Sequence, residues 1–244
     1  EIAAGPGVPG RGPQGEGESG VSDSGSSRQK SGNRRYAVTD AGLSHFQKAY
    51  PSIKITKEDL FYYVYGLLHS PVYREKYADN LSKELPRIPC VKKAEDFQAF
   101  AKAGRRLAEI HIHYESAKMH PVGLRYASSL QLSDEKLYRV TQMKYGKNGK
   151  TEDRTTLIYN EYITLTGIPL EAYEYVVNGK PALDWIVERY CVSTHKESGI
   201  VNDANLWGIE TEKNPKYPLA LFQRIITVSL ETMKIIKSLP EYKV

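Results

Sequence analysis

Cysteine is almost missing from this chain: Cys90 and Cys191 are the only two in 244 residues, and they lie far apart. Such usage excludes a disulfide-framed secreted scaffold and points to reduced thiols in a cytoplasmic protein. Long apolar runs are missing as well. No stretch approaches the roughly 20 residues that a membrane-spanning helix needs, and the N-terminus lacks the basic-then-apolar layout of a signal peptide. There is also little excess of either charge, since 34 Lys and Arg against 29 Asp and Glu leave +5. That balance permits a polyanionic partner without requiring one.

The signatures of catalysis are equally scarce. No Gly-x4-Gly-Lys-Ser/Thr loop is present to cradle nucleotide phosphates. Asn214-Pro215-Lys216-Tyr217 comes nearest to the Asn/Asp-Pro-Pro-aromatic motif that holds a flipped adenine for methylation, but lysine replaces the second proline. Asp134-Glu135-Lys136 offers half of a nuclease Asp-x-Lys site without the separate upstream acid, and reads better as a charged turn. His111 and His113 are two apart, so on a helix they diverge by about 200° and cannot share a metal. A packed, hydrogen-bonded His111 is the better expectation, and no catalytic or metal-binding residue is assigned.

What is present divides the chain by composition. Residues 1–35 are rich in Gly, Pro and Ser with almost no large apolar side chain, so they cannot bury enough surface to offset ordering, and read as a flexible linker. From Tyr36 the sequence turns globular. Residues 36–120 are expected to form a helical subdomain, and 121–244 an antiparallel sheet with a long final helix. The fold class expected is α+β.

Helix signals dominate the first part. Asp40–Tyr50 reads as a short helix. Thr56 with Asp59 forms a capping box, and Ile55 is placed to staple Leu60. Ser70-Pro71 supplies an N-cap and first-turn proline for the next helix, before Leu85-Pro86-Arg87-Ile88-Pro89 stiffens an extended exit. In Ala94–Tyr114 the residues Phe97, Phe100, Gly104, Leu107, His111 and Tyr114 recur at helical steps, with Gly104 marking a close helix contact.

Strand signals follow. Leu137–Tyr145 alternates, Asn148-Gly149 is a hairpin turn, Arg154–Tyr159 returns, and Tyr162–Leu165 adds a third strand. A second Asn-Gly at 178–179 precedes a helix opened by Pro181 and carrying Leu183, Trp185, Ile186 and Tyr190. Ser193–Lys216 reads as a long polar loop. Pro218 to about Leu239 forms the last helix, with Leu219, Phe222, Ile226, Leu230, Met233 and Ile236 on one face.

The one constellation with binding chemistry surrounds the hairpin. Lys144, Lys147 and Lys150 ring its tip, Arg139 and Arg154 flank them, and Gln142 and Asn148 add amides. A two-stranded ribbon fits the major groove of duplex DNA, where Arg and Lys favour guanine edges and Asn and Gln favour adenine. The competing reading is an edge strand blunted by lysines. A secondary set, His195, Lys196, Asn202 and Asn205, lies in the polar loop and suits either base contact or local turn bonds.

A further pattern spans residues 36–240. It runs through Tyr62–Pro89 (YYVYGLLHSPVYREKYADNLSKELPRIP), Phe100-Ala101-Lys102-Ala103-Gly104-Arg105-Arg106-Leu107-Ala108 and His111-Ile112-His113-Tyr114-Glu115. It continues in Gly167-Ile168-Pro169, Leu183-Asp184-Trp185-Ile186-Val187-Glu188-Arg189-Tyr190 and Ser198-Gly199-Ile200-Val201-Asn202-Asp203-Ala204-Asn205. This order closely resembles the C-terminal specificity region of Type ISP restriction-modification enzymes, single-chain bacterial proteins. The resemblance implies a non-catalytic module that reads duplex DNA and docks on the methyltransferase domain of the same cytoplasmic chain. It implies upstream parts that methylate adenine with S-adenosylmethionine and use ATP and Mg2+ to translocate and cleave DNA. No cofactor is expected within these residues. The alternative left open is a docking module that packs on the methyltransferase or helicase-coupling domains, chiefly through the last helix, without touching DNA.

Overall fold

The structure, a computed structural model, describes residues 37–127 and 131–243. The linker expected at 1–35 lies outside the described residues. The described part is α+β.

Five helices come first: α1 (Asp40–Ala49), α2 (Lys57–Leu68), α3 (Pro71–Lys76), α4 (Ala78–Leu81) and α5 (Ala94–Ile112). Their ends obey local chemistry. The Asp59 amide donates to Thr56 Oγ1 while Asp59 Oδ2 accepts from the Thr56 amide, so two otherwise orphaned donors are satisfied. Ile55 and Leu60 are both buried beside this cap. α2 and α5 cross at glycines. A Cβ built on Gly104 would lie 1.9 Å from the Tyr62 carbonyl oxygen, and one on Gly66 would lie 2.3 Å from that of Phe100. The crossing brings Tyr63, Phe97 and Phe100 into one buried cluster with Tyr63 stacked on Phe97 at 4.6 Å.

The extended exit is lashed down by tyrosines. Hydroxyls of Tyr73, Tyr63 and Tyr50 donate to the carbonyls of Arg87, Pro89 and Val91 at 2.7, 2.7 and 2.6 Å. Alternate carbonyls of an extended chain face one side, so three buried phenols can satisfy every second acceptor.

The remaining strands and helices are β1 (Gly123–Tyr126), α6 (Asp134–Leu137), β2 (Lys144–Asn148), β3 (Thr151–Ile158), β4 (Ile163–Thr166), β5 (Val176–Val177), β6 (Lys180–Pro181), α7 (Ala182–Arg189), β7 (Val192–Thr194), β8 (Val201–Asp203) and α8 (Tyr217–Lys237). The main sheet is antiparallel in the order β1-β4-β3-β2, with two separate two-stranded ribbons, β5-β6 and β7-β8. One face of the sheet, with Leu157, Ile163 and Leu165, packs on Phe222, Ile225 and Ile226 of α8.

Two expectations are corrected here. Leu137–Met143 is not strand. Its backbone groups are claimed by side chains from elsewhere: Asn160 Nδ2 donates to the Leu137 and Arg139 carbonyls, the Tyr159 hydroxyl to that of Tyr138, and Asn205 brackets Val140. Ser193–Lys216 is not a plain loop, since it contains the β7-β8 hairpin and a π-helical turn at Trp207–Thr211.

α8 is also more buried than a one-faced helix. Leu219, Leu221, Phe222, Ile225, Ile226 and Val228 are all buried. The chain beyond it returns to the helical part, where Lys243 accepts from the Lys92 amide and Tyr242 joins the aromatic cluster. The first half of the helix that the docking alternative would lay against another domain is therefore covered within this one, while Leu230, Met233 and Ile236 are half-buried.

Candidate nucleic-acid interface

The hairpin formed by β2 and β3 closes as Asn148 pairs with Thr151, leaving Gly149-Lys150 as the loop. Gly149 has φ +64° and Lys150 an ordinary backbone, the pattern of a II′ turn that needs glycine first. The expected turn is thus present, one residue further on. Lys144, Lys147, Asn148 and Lys150 are all exposed, as is Gln142 ahead of β2. Among the described residues no ion pair engages these three lysines. Cations of this kind on a narrow ribbon are free to meet anionic oxygens, and the two amides can hydrogen-bond in either sense.

The flanking arginines sit differently. Arg139 donates to Asp203 at 2.5 Å, where Asp203 also accepts from the Asn205 amide. Arg154 is held by Asp184 at 3.1 Å and Glu152 at 3.0 Å, with its guanidinium over the rings of Tyr145 and Tyr173. Burial first, then Tyr173 and Asp184, push the Tyr145 hydroxyl well above the usual phenol range. It therefore stays protonated and donates to Asp184. Both arginines are engaged internally before any ligand arrives.

The secondary set divides in the same way. His195, Lys196 and Asn202 are exposed on the β7-β8 hairpin, where the Ser198 amide donates to His195 Nδ1 at 3.3 Å. Asn205 is buried. Its amide oxygen accepts from Val140 N at 2.9 Å and its nitrogen donates to Val140 O at 2.8 Å, which makes it a bracket for the chain ahead of β2.

Two features escaped the sequence reading. Trp185 is flanked by Lys180 and Arg189, 4.8 and 5.5 Å from its ring centroid. The i, i+4 spacing of Trp185 and Arg189 on a helix was the available signal. Ile200, Val201, Leu206 and Trp207 are also exposed apolar side chains. Elsewhere, His111 lies between the Tyr65 hydroxyl at 2.7 Å and Thr232 Oγ1 at 3.0 Å, as a packed core histidine would. Burial, then His69, lowers its pKa to about 4.

Residues 16–221 match the Type ISP C-terminal specificity domain. This chain is a Type ISP specificity domain. The match begins within the Gly/Pro/Ser-rich stretch and ends inside α8. Three solved structures agree with it. A nuclease-deletion mutant of the Type ISP restriction-modification enzyme LlaGI, in complex with a DNA substrate mimic, is 43% identical with a TM-score of 0.66, over 78% of this chain and 14% of that one. The ATP-dependent Type ISP enzyme LlaBIII bound to DNA is 40% identical with a TM-score of 0.70, over 84% and 12%. DrdV, solved as a DNA complex, is 33% identical with a TM-score of 0.69, over 84% and 20%. The specificity domain thus spans between 12% and 20% of the length of these enzymes. Comparison with curated protein sequences finds no match.

Proposed function

We propose that this specificity domain recognises the target sequence in duplex DNA for a larger Type ISP enzyme. The other parts of that enzyme would methylate adenine with S-adenosylmethionine, and would translocate and cleave DNA using ATP and Mg2+. The observation that carries this reading is the β2–β3 ribbon, which offers Lys144, Lys147 and Lys150 to solvent with no ion pair to any of them among the described residues. Structural relatives solved on DNA support it. In this scheme the lysines contact phosphate and set register, while Gln142 and Asn148 reach base edges. His195, Lys196 and Asn202 form a second exposed set suited to the same duplex.

Selection of a preferred sequence from a randomised 20-base-pair duplex pool tests the reading directly. Lys147→Ala should flatten the log–log salt dependence of binding by about 0.9, which between 50 and 200 mM salt is about 3.5-fold in affinity per lost phosphate contact. A chain that enriches no sequence from the pool would sink target recognition. An unchanged slope would remove Lys147 from the phosphate contacts.

A further inference from the structure

The ribbon that bears the lysines is broken at its root. Tyr145 of β2 pairs with Leu157, yet the next residue, Gly146, pairs with Asp153, so Arg154, Thr155 and Thr156 have no opposite number on β2. Extra residues on one strand bend a ribbon and increase its twist, and the angle depends on what holds them. Space is tight at the break: a Cβ on Gly146 would lie 2.9 Å from that of Thr156.

Asp153 Oδ1 accepts from the amide and the hydroxyl of Thr155 at 3.0 and 2.6 Å within β3, and one carboxylate from outside the ribbon reaches both of its strands. Asp184 on α7 accepts from the Tyr145 hydroxyl through Oδ1 at 2.7 Å and from Arg154 Nη2 through Oδ2 at 3.1 Å. One oxygen therefore anchors each strand of the ribbon to the same helix. The Arg154 carbonyl accepts from the Tyr173 hydroxyl at 2.8 Å, and the Thr155 carbonyl from the Ile168 amide at 3.0 Å. The Arg154 guanidinium lies 5.1 and 5.0 Å from the Tyr145 and Tyr173 ring centroids, and those rings meet edge to face at 5.8 Å. The Asp184 side chain is only 16% exposed, so its two bonds are shielded from competing water.

We infer that Arg154 and Asp184, with Tyr145 and Tyr173, are positioning residues that set the angle at which the lysine-bearing ribbon leaves the body of the domain. The inference rests on the DNA-recognition reading and deepens it: the clamp determines where the tip lands along the duplex, and Arg154 contacts no phosphate. A planar guanidinium that both stacks and forks is required, so lysine cannot replace it. Asp184 serves both strands, so removing its charge frees the bulge without touching Lys144, Lys147 or Lys150.

The test compares the whole chain with Asp184→Asn and Arg154→Lys by amide hydrogen exchange, thermal melting and duplex binding. The duplexes are the pool-selected sequence and a shuffled version of it. In both variants amides of residues 146–156 should exchange at least about tenfold faster, while those of α2 and α5 keep their protection. Affinity for the selected duplex should fall about tenfold with the salt slope and shuffled-duplex affinity unchanged, and Asp184→Glu should recover part of the preference. Unchanged ribbon exchange overturns the inference. So does an equal loss on both duplexes with a shallower slope, which would make Arg154 a phosphate contact, or a loss that simply follows a lower melting temperature. If the wild-type chain selects no duplex, target recognition falls on that result alone, and the exchange comparison separately decides whether the clamp holds the ribbon.

Discussion

Gly104→Ala isolates the contact on which the helical half is built. The added Cβ would lie 1.9 Å from the Tyr62 carbonyl oxygen, 2.7 Å from the Gly66 nitrogen and 2.9 Å from the Tyr62 carbonyl carbon. All three are backbone atoms of α2, so no side chain can rotate away. Ordinary contact begins at 3.4 Å, so the helices must part by about 1.5 Å, the difference from 1.9 Å. The displacement would open contacts around Tyr63, Leu67, Phe100 and Leu107, all 0% exposed. Overpacking of a tight core costs about 1–3 kcal/mol, here toward the upper end because the backbone itself must move. Replacing glycine inside a helix returns about 1 kcal/mol. The net expectation is a loss of about 2 kcal/mol, or roughly 4–8 °C in Tm for a domain of this size. Urea denaturation followed by far-UV circular dichroism measures it, with Lys102→Ala as an exposed control on the same helix. Gly66→Ala combined with Gly104→Ala should cost less than the two separately, because helices already parted accommodate the second methyl. A Gly104→Ala chain as stable as wild type would refute the close-crossing argument.

Two further outcomes follow from buried polar groups. His111 has its folded-state pKa lowered to about 4 by burial and then by His69, so the unfolded chain binds the proton more readily. Its contribution is complete above the unfolded value of about 6.5 and is lost as pH falls from there toward 4, with a total on the order of 3 kcal/mol. Melting curves from pH 7.5 to 4 should show that decline, and His111→Gln should flatten it; an equal slope in both would disprove the linkage. Asn205→Ala strips both partners from the Val140 backbone, whose N–H and carbonyl are bonded at 2.9 and 2.8 Å, and should destabilise by about 3 kcal/mol. A cost below about 1 kcal/mol in denaturant titration would show that water reaches Val140 freely.

Short-range chemistry was legible in the sequence, with the β2–β3 turn displaced by one residue. The Thr56–Asp59 box, the Ser70-Pro71 start and the Asn-Gly turns each depend on residues within a few positions, while the contact at Gly104 was signalled by a missing side chain on an apolar helix stripe, although its partners Tyr62 and Gly66 lie 42 and 38 positions away. The family was legible too, its pattern being carried by order along the chain. Tertiary structure alone decided which polar side chains remain free. Arg139, Arg154 and Asn205 have the same chemistry as residues that read DNA, but their partners Asp203, Asp184 and Val140 stand 64, 30 and 65 positions away. No local window contains both members of such a pair, so an arginine that clamps and an arginine that binds look identical until the chain folds. The same separation hid the irregular stretch at 137–143: it lost its strand character to distant Asn160, Tyr159 and Asn205, which satisfy its backbone in place of a neighbouring strand.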